Sequence, residues 1–138
     1  MNNDYNSDYV TWLEIQSELL RKGDYDNVDL DHLIKHLEYL AREEKEKLRY
    51  LAYKIIVNLL LIDYWKIQKQ SIPYWLGEVD DYQFQLNEKL TVNHKILLNI
   101  VVDEIYLMSK RTASRISGME QEHFPQICPY TLDDILHK

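Results

Sequence analysis

The chain has 138 residues with only three Gly and three Pro, and so few chain-bending residues argue against strand-and-turn and disordered proteins. The net charge of −7 disfavours a nucleic-acid binder, which needs a cationic face to displace counterions from phosphates. This length and a hydrophobic fraction of 46% predict one globular domain over residues 1–138, and the single Cys128 suits a reducing compartment such as the cytoplasm.

The first predicted helix begins at an N-cap, Ser7, and runs to Lys22, with Gly23 as its C-terminal cap. Its apolar positions follow helical spacing and are Tyr9, Trp12, Leu13, Ile15, Leu19 and Leu20. The residues before this helix carry neither the basic stretch nor the apolar core of a secretory signal, so we expect none there.

The second predicted helix is long, starting after a cap at Asp29 and continuing to about Lys69. The charged run Arg42–Lys47 contains neither Gly nor Pro, so we expect it to stay helical, with a bend near Glu44 left open. The helix carries apolar residues on two faces after Leu48, which is typical of a central helix. Its stripe comprises Leu30, Leu33, Ile34, Leu37, Leu40, Ala41, Leu48, Leu51, Ala52, Ile55, Ile56 and Leu59.

Three further helices are predicted: one over Pro73–Leu90, one that follows an N-cap at Thr91 and runs to about Ser117, where Gly118 ends it, and a short one after a capping box at Thr131–Asp134. The sequence therefore predicts an all-α helical bundle of four main helices, one of them long, plus a short C-terminal helix. The core candidates on the third and fourth helices are Trp75, Leu76, Val79, Phe84, Leu86, Leu98, Val101, Val102, Ile105 and Met108.

Five segments follow one another in a distinctive order: Trp12–Glu14, Leu19–Tyr25, Asp29–Ile34, Leu37–Glu38 and Phe124–Leu132. Together they resemble the domain-of-unknown-function family numbered twenty-nine, and the last segment is the most specific match. The resemblance covers nearly the whole chain. It implies a bacterial all-α domain and implies no activity, because the family has no established one.

The chain also departs from that family's pattern at three places. His36 stands where an acidic residue is common, and Asn58–Leu61 stands where a histidine usually precedes a Leu-Leu-Lys-Trp-like stretch. The arginines frequent in the third helix are missing, and the residues there are Glu78, Asp80, Asp81 and Gln83. If those family positions form a polar site, this chain has changed it.

His32 and His36 are four residues apart on a helix, so both could face one metal ion. A zinc hydrolase of the usual kind needs Glu directly after the first histidine, and Leu33 is there instead. We therefore interpret both as solvent-exposed helix histidines. The acidic turn at Asp24–Asn27 resembles a calcium loop only at its start, because Asp29 occupies the position that requires glycine.

Glu120 and His123 have the spacing of one half of a di-metal motif, and Asp29 with His32 is a weaker version. Both half-motifs lie outside the expected core, so we predict no bound metal or cofactor. Cys128 lies close to a helix N-terminus, which would lower the pKa of its thiol, and His123 could serve as its base. The simpler interpretation is a small buried residue that holds the C-terminal segment.

Asn58 and Asp63 interrupt and border the most apolar segment, Ile55–Ile62. That segment is far shorter than the ~20 residues of a membrane-spanning helix, so we expect no membrane partner. Buried polar residues need hydrogen-bond partners and can fix helix register, which is the first interpretation. The alternative is a ligand pocket that these two residues line together with Tyr53 and Trp65.

Three functions remain open. The first is a non-catalytic module that binds another protein or a second copy of itself as a homodimer. The second is a metal-dependent or thiol enzyme whose site is assembled from dispersed His, Glu and Cys side chains. The third, a nucleic-acid adaptor, is disfavoured because its basic residues are mixed with glutamates. Those basic residues are Lys35, Arg42, Lys45, Lys47, Arg49 and Lys54.

Overall fold

A computed structural model of the chain describes residues 8–66 and 69–138. These residues form five helices and no strand: α1 (Tyr9–Lys22), α2 (Leu30–Tyr64), α3 (Ile72–Lys89), α4 (Val92–Ser117) and α5 (Leu132–His137). The predicted all-α architecture, with four main helices, one of them long, and a short last helix, is confirmed. The chain divides into two compact units, unit 1 (Met1–Glu44) and unit 2 (Lys45–Lys138). The single domain over 1–138 stays a prediction.

The ends of α1 follow local chemistry. The Asp8 side chain accepts a hydrogen bond from the Thr11 backbone N–H at 3.1 Å, which makes Asp8 the N-cap. The predicted cap at Ser7 is therefore one residue early, and Ser7 itself lies outside the described residues. Gly23 closes the helix as predicted, with φ of +78°, a left-handed conformation that glycine adopts without steric cost.

Helix α2 is continuous through Arg42–Lys47, as its lack of Gly and Pro predicts. At its start, Asp29 accepts the backbone N–H of His32 at 3.4 Å, so the predicted cap is present. The predicted end near Lys69 is wrong, because the helix ends at Tyr64. Trp65 leaves the helix and stacks on Trp75, with ring centroids 5.6 Å apart, and no Gly or Pro marks this end.

The hydrophobic core of unit 2 is built around the second half of α2. Every residue from Ile55 to Leu61 is buried, which confirms that this part of the helix packs on more than one face. The other helices contribute Trp75, Val79, Leu86, Leu98, Ile105, Tyr106, Ala113, Ile135 and Leu136.

Of the core candidates on α3, the structure buries Trp75, Val79 and Leu86 and leaves Leu76 and Phe84 exposed. On α4, Leu98 and Ile105 are buried and Val101 and Val102 pack partly buried against the core, whereas the predicted core position of Met108 is wrong, because Met108 is exposed. The sequence did not identify Gln83, which is buried and donates its amide N–H to the Ile135 carbonyl at 3.1 Å. This bond is to a partner 52 residues away, so no local pattern predicts it.

The capping boxes at the starts of α4 and α5 are both present. The Thr91 hydroxyl accepts the His94 backbone N–H, and the Thr131 hydroxyl accepts the Asp134 backbone N–H. Helix α5 then packs on α3, where the Asn87 side chain donates to the Leu136 carbonyl at 3.1 Å.

Candidate functional site

A cluster of hydrogen-bonded polar and aromatic side chains lies in unit 1, with Asp29 at its centre. One carboxylate oxygen of Asp29 accepts the indole N–H of Trp12 at 3.1 Å and lies 2.9 Å from Nδ1 of His32. Partial burial acts to raise the pKa of Asp29, but the hydrogen bonds from Trp12 and His32 outweigh it and hold that pKa below its ordinary value of 3.8. The carboxylate therefore holds the start of α2 against α1.

His36 forms a second pair in the same unit. Its ring is buried, with 8% of its surface exposed, and Nδ1 is hydrogen-bonded to the Tyr9 hydroxyl. The interpretation of His36 as a solvent-exposed histidine is wrong, because the Tyr9 and Trp12 rings cover it. Its partner lies 27 residues away, beyond the reach of a helical spacing argument. His32 is partly buried and packs edge-on against Trp12.

Gln16 is the third polar component of this cluster. Its carbonyl oxygen accepts the Asp29 backbone N–H at 2.7 Å, while its buried amide nitrogen has no hydrogen-bond partner among the described residues. The side chain also lines a surface groove of about 550 Å³ between α1 and α2. The other lining residues are Leu13, Ser17, Leu20, Arg21 and Leu33.

This cluster is suited to holding helices and not to catalysis. Asp29 pairs with His32 while His36 pairs with Tyr9, so the two histidines have separate partners, and the pairs include no Ser or Cys nucleophile. Across residues 8–66 and 69–138, no three His, Cys, Asp or Glu side chains are placed to hold a metal ion. The Asp29–His32 half-motif brings its two side chains together without the further ligands that a metal requires.

The thiol and its neighbours in unit 2 do not form a reactive pair. Cys128 is half-buried, and burial raises the pKa of its thiol, so the predicted lowering by a helix N-terminus is wrong. Its sulfur lies 3.5 Å from the Tyr130 carbonyl. Glu120 and His123 are exposed on a short turn, and within the described part of the chain no hydrogen bond joins His123 to Cys128.

The interior polar residues Asn58 and Asp63 have structural partners. The buried Asn58 donates its amide to the Lys54 carbonyl at 2.8 Å, within its own helix. Asp63 accepts the Tyr130 hydroxyl at 2.6 Å and lies 3.6 Å from Nζ of Lys138. The two contacts of Asp63 tie the C-terminal segment to α2.

Tyr130 and Tyr106 are two residues that the sequence alone does not single out. The Tyr106 hydroxyl donates to the Pro125 carbonyl, and burial raises the pKa of Tyr106 to about 12. Burial and the neighbouring Asp63 likewise raise the pKa of Tyr130. Both phenols thus stay protonated and fix the loop before α5. Eleven scattered tyrosines give no signal that would distinguish these two.

Helix α4 carries an apolar surface that faces away from its core side. We call it the α4 stripe; its residues lie within about 80° of one another around the helix, and their side chains are 54–74% exposed. The stripe consists of Val92, Ile96, Ile100 and Leu107. The buried residues Leu98, Ile105 and Ser109 project from the other side. An apolar solvent face on a helix that already contributes a core face is typical of a contact surface.

A smaller groove, of about 250 Å³, lies beside this helix in unit 2. Arg49 and Glu104 form an ion pair at its edge, at 3.3 Å, and Tyr53 is hydrogen-bonded to Thr112 at 2.7 Å. Three of its polar side chains, Arg49, Glu104 and Tyr53, thus already have partners. Asn58, Asp63 and Trp65 do not line this groove, so the groove does not correspond to the ligand pocket considered from the sequence.

Comparison with known proteins identifies one family. The family model described as "Domain of unknown function DUF29" matches residues 5–138. No curated protein and no solved structure matches the chain. Over the part of the chain that the structure describes, no helix has both the length and the apolar character needed to cross a membrane.

Proposed function

The chain belongs to the DUF29 family, and from this premise we propose that it is a non-catalytic protein-interaction module that associates with a second copy of itself through the α4 stripe. The observation that carries the proposal is the stripe itself, four large apolar side chains that are each more than half exposed. Water contact with this much apolar surface is unfavourable, and pairing two stripes would remove it.

A second copy fits the stripe because its charges are self-complementary. Lys95 and Asp103 are both exposed and each lies four residues from Asn99. An antiparallel pairing of two α4 helices with a two-fold axis at Asn99 would bring Lys95 opposite the partner's Asp103, twice per dimer. Unit 2 carries 12 acidic and 12 basic residues, so two copies of it do not repel each other through net charge.

The pairing of the titratable groups supports a non-catalytic role. Asp29, His36 and Asp63 are each hydrogen-bonded to a side chain that holds another part of the fold. The raised pKa of Cys128 disfavours a thiolate at neutral pH. An enzyme would need these groups to meet a substrate together with a base or a metal.

Sedimentation velocity tests the proposal. The wild-type chain should form a dimer as its concentration rises, and Ile100→Asp should raise the dimer dissociation constant by at least about tenfold, because a carboxylate would be buried against the opposite stripe. Phe84→Asp is the matched control, since it places the same charge on an exposed aromatic position of α3, away from the stripe. Far-UV circular dichroism checks that both variants are folded.

Charge reversal tests the predicted direction of pairing. Lys95→Asp and Asp103→Lys should each weaken the dimer, because each places like charges opposite each other. The double variant should restore it. A wild-type chain that stays monomeric at all concentrations would contradict self-association, and single reversals without effect would contradict the antiparallel arrangement.

A further inference from the structure

The whole net charge of the protein lies in unit 1. Its 44 residues carry 11 acidic and 4 basic side chains, a net charge of −7, whereas unit 2 is neutral. A surface with this balance attracts cationic partners and repels other acidic surfaces.

Unit 1 also exposes apolar side chains along the first turns of α2. We call Leu30, Ile34 and Leu37 the α2 stripe; they are 46–61% exposed. The residues at the corresponding helical positions further along, such as Leu48 and Ile55, are buried in the core of unit 2. The apolar side chains on this face of α2 are thus buried in the second half of the helix and exposed to solvent in the first half.

The α2 stripe adjoins the groove between α1 and α2. Leu33 lines that groove, and Leu30 and Leu37 are its i−3 and i+4 neighbours on the helix surface. Leu13 and Leu20 of α1 form the opposite wall. An apolar surface therefore extends from the groove onto α2, and from Leu30 to Leu37 it spans about two helical turns, roughly 10 Å.

Carboxylates border this surface. Asp31 and Glu38 are exposed and are the i−3 and i+4 neighbours of Ile34, so they flank the stripe on its outer side. A docked helix with apolar side chains on one face and Lys or Arg on its flanks would satisfy both features.

We propose that unit 1 is a docking site for a basic amphipathic helix of a partner protein, which places its apolar face on Leu30, Ile34, Leu37 and the adjoining groove and its cationic flanks beside Asp31 and Glu38. A second copy of unit 1 is a poor occupant, because two surfaces of net charge −7 repel each other. This site is separate from the α4 stripe and requires no dimer.

The test uses the full chain and two dye-labelled synthetic peptides of about 18 residues, roughly five helical turns. Both carry Leu on one face, and the other face is Lys in the first peptide and Glu in the second. Fluorescence anisotropy should detect binding of the Lys peptide and none of the Glu peptide. The affinity for the Lys peptide should fall at least about fivefold between about 50 mM and about 300 mM salt, because the flanking charges become screened.

Two pairs of variants separate the apolar and the charged contributions. Leu30→Gln with Leu37→Gln keeps every charge and should weaken binding of the Lys peptide about tenfold. Leu76→Gln with Phe84→Gln, at two exposed apolar positions of α3, is its matched control and should leave the affinity unchanged. Asp31→Asn with Glu38→Gln should reduce the salt dependence, whereas Glu120→Gln with Glu122→Gln, which removes two exposed charges from unit 2, should not.

Equal binding of the Lys and Glu peptides would overturn the proposal, and so would unchanged binding by the Leu30, Leu37 variant. Peptide binding by the Ile100→Asp variant would show that docking does not depend on self-association. Failure of peptide docking on unit 1 and failure of dimerisation through the α4 stripe can therefore be distinguished.

Discussion

Four hydrogen bonds of unit 1 converge on Asp29. Its backbone N–H donates to the Gln16 side chain of α1. Its carboxylate accepts hydrogen bonds from the Trp12 indole of α1 and from His32 in the first turn of α2. Since its pKa is lowered in the folded chain, the unfolded chain binds more protons in the interval between the folded value and 3.8. The stabilising contribution of Asp29 is complete above that interval and is lost as the pH falls through the folded pKa.

We expect Asp29→Asn to flatten the acid dependence of stability. The free energy of unfolding of the wild-type chain should fall as the pH is lowered past about 4. The variant should show a smaller fall, because its amide oxygen still accepts hydrogen bonds but cannot be protonated in this range. Urea unfolding at a series of pH values measures this slope. Asp26→Asn removes a charge of the same sign nearby and is the control; equal slopes in the two variants would contradict this role for Asp29.

At the residue scale the sequence predicts which side chains are unusual but not what they contact. Asn58 and Asp63 stand out because they interrupt or border an apolar run, and each has a hydrogen-bond partner in the structure. The partner of Asp63 is Tyr130, 67 residues away, and only the folded chain brings them together. The same reason explains why the burial of His36 beneath Tyr9 could not be predicted.

At the scale of helices, boundaries set by local chemistry are predicted from the sequence, whereas the end of α2, which a tertiary contact sets, is not. Capping depends on a few neighbouring residues, so Asp29, Thr91 and Thr131 were identifiable as N-caps from the sequence. The end of α2 depends on Trp65 meeting Trp75, which is a tertiary contact. Neither Gly nor Pro is present near Tyr64 to reveal it.

Two glycines of unit 2 should respond in opposite ways to the same substitution. Gly118 has φ of +75°, so Gly118→Ala should lower the free energy of unfolding by about 1 kcal/mol. Gly77 lies within α3 with open space around the position of a Cβ atom, so Gly77→Ala should raise it by about 0.5–1 kcal/mol. Urea unfolding followed by far-UV circular dichroism measures both, and a shift of the same sign in the two variants would contradict the assignment.

At the scale of the whole molecule, charge is the most uneven property. The sequence alone shows an acidic amino-terminal region, but the boundary at Glu44 falls inside a continuous helix and has no sequence marker. The exposure of apolar side chains likewise has no sequence marker. The α2 stripe is indistinguishable from a core stripe until the structure shows which half of it is covered.

Because unit 1 carries all of the net charge, its like charges repel one another, and salt should relieve this repulsion. Raising NaCl from about 50 mM to about 500 mM should therefore slow amide hydrogen exchange within residues 8–44 more than within residues 45–138. Mass spectrometry of peptic fragments measures the two regions in one sample. Sodium sulfate at matched ionic strength is a useful comparison, and equal protection of both regions would contradict a repulsive contribution in unit 1.

The three tryptophans are divided between the units in a way that has an optical consequence. Trp12 is the single tryptophan before residue 45, and it lies fully buried with its indole N–H on a carboxylate. Trp65 and Trp75 stack in unit 2 at an interplanar angle of 28°. Two indoles at this separation couple their strong far-ultraviolet transitions, which adds an exciton signal to the circular dichroism spectrum that a single indole cannot give. Loss of that coupled signal would report on unit 2, while the emission lost on Trp12→Phe would identify the contribution of unit 1, so the two units can be followed separately without any added label.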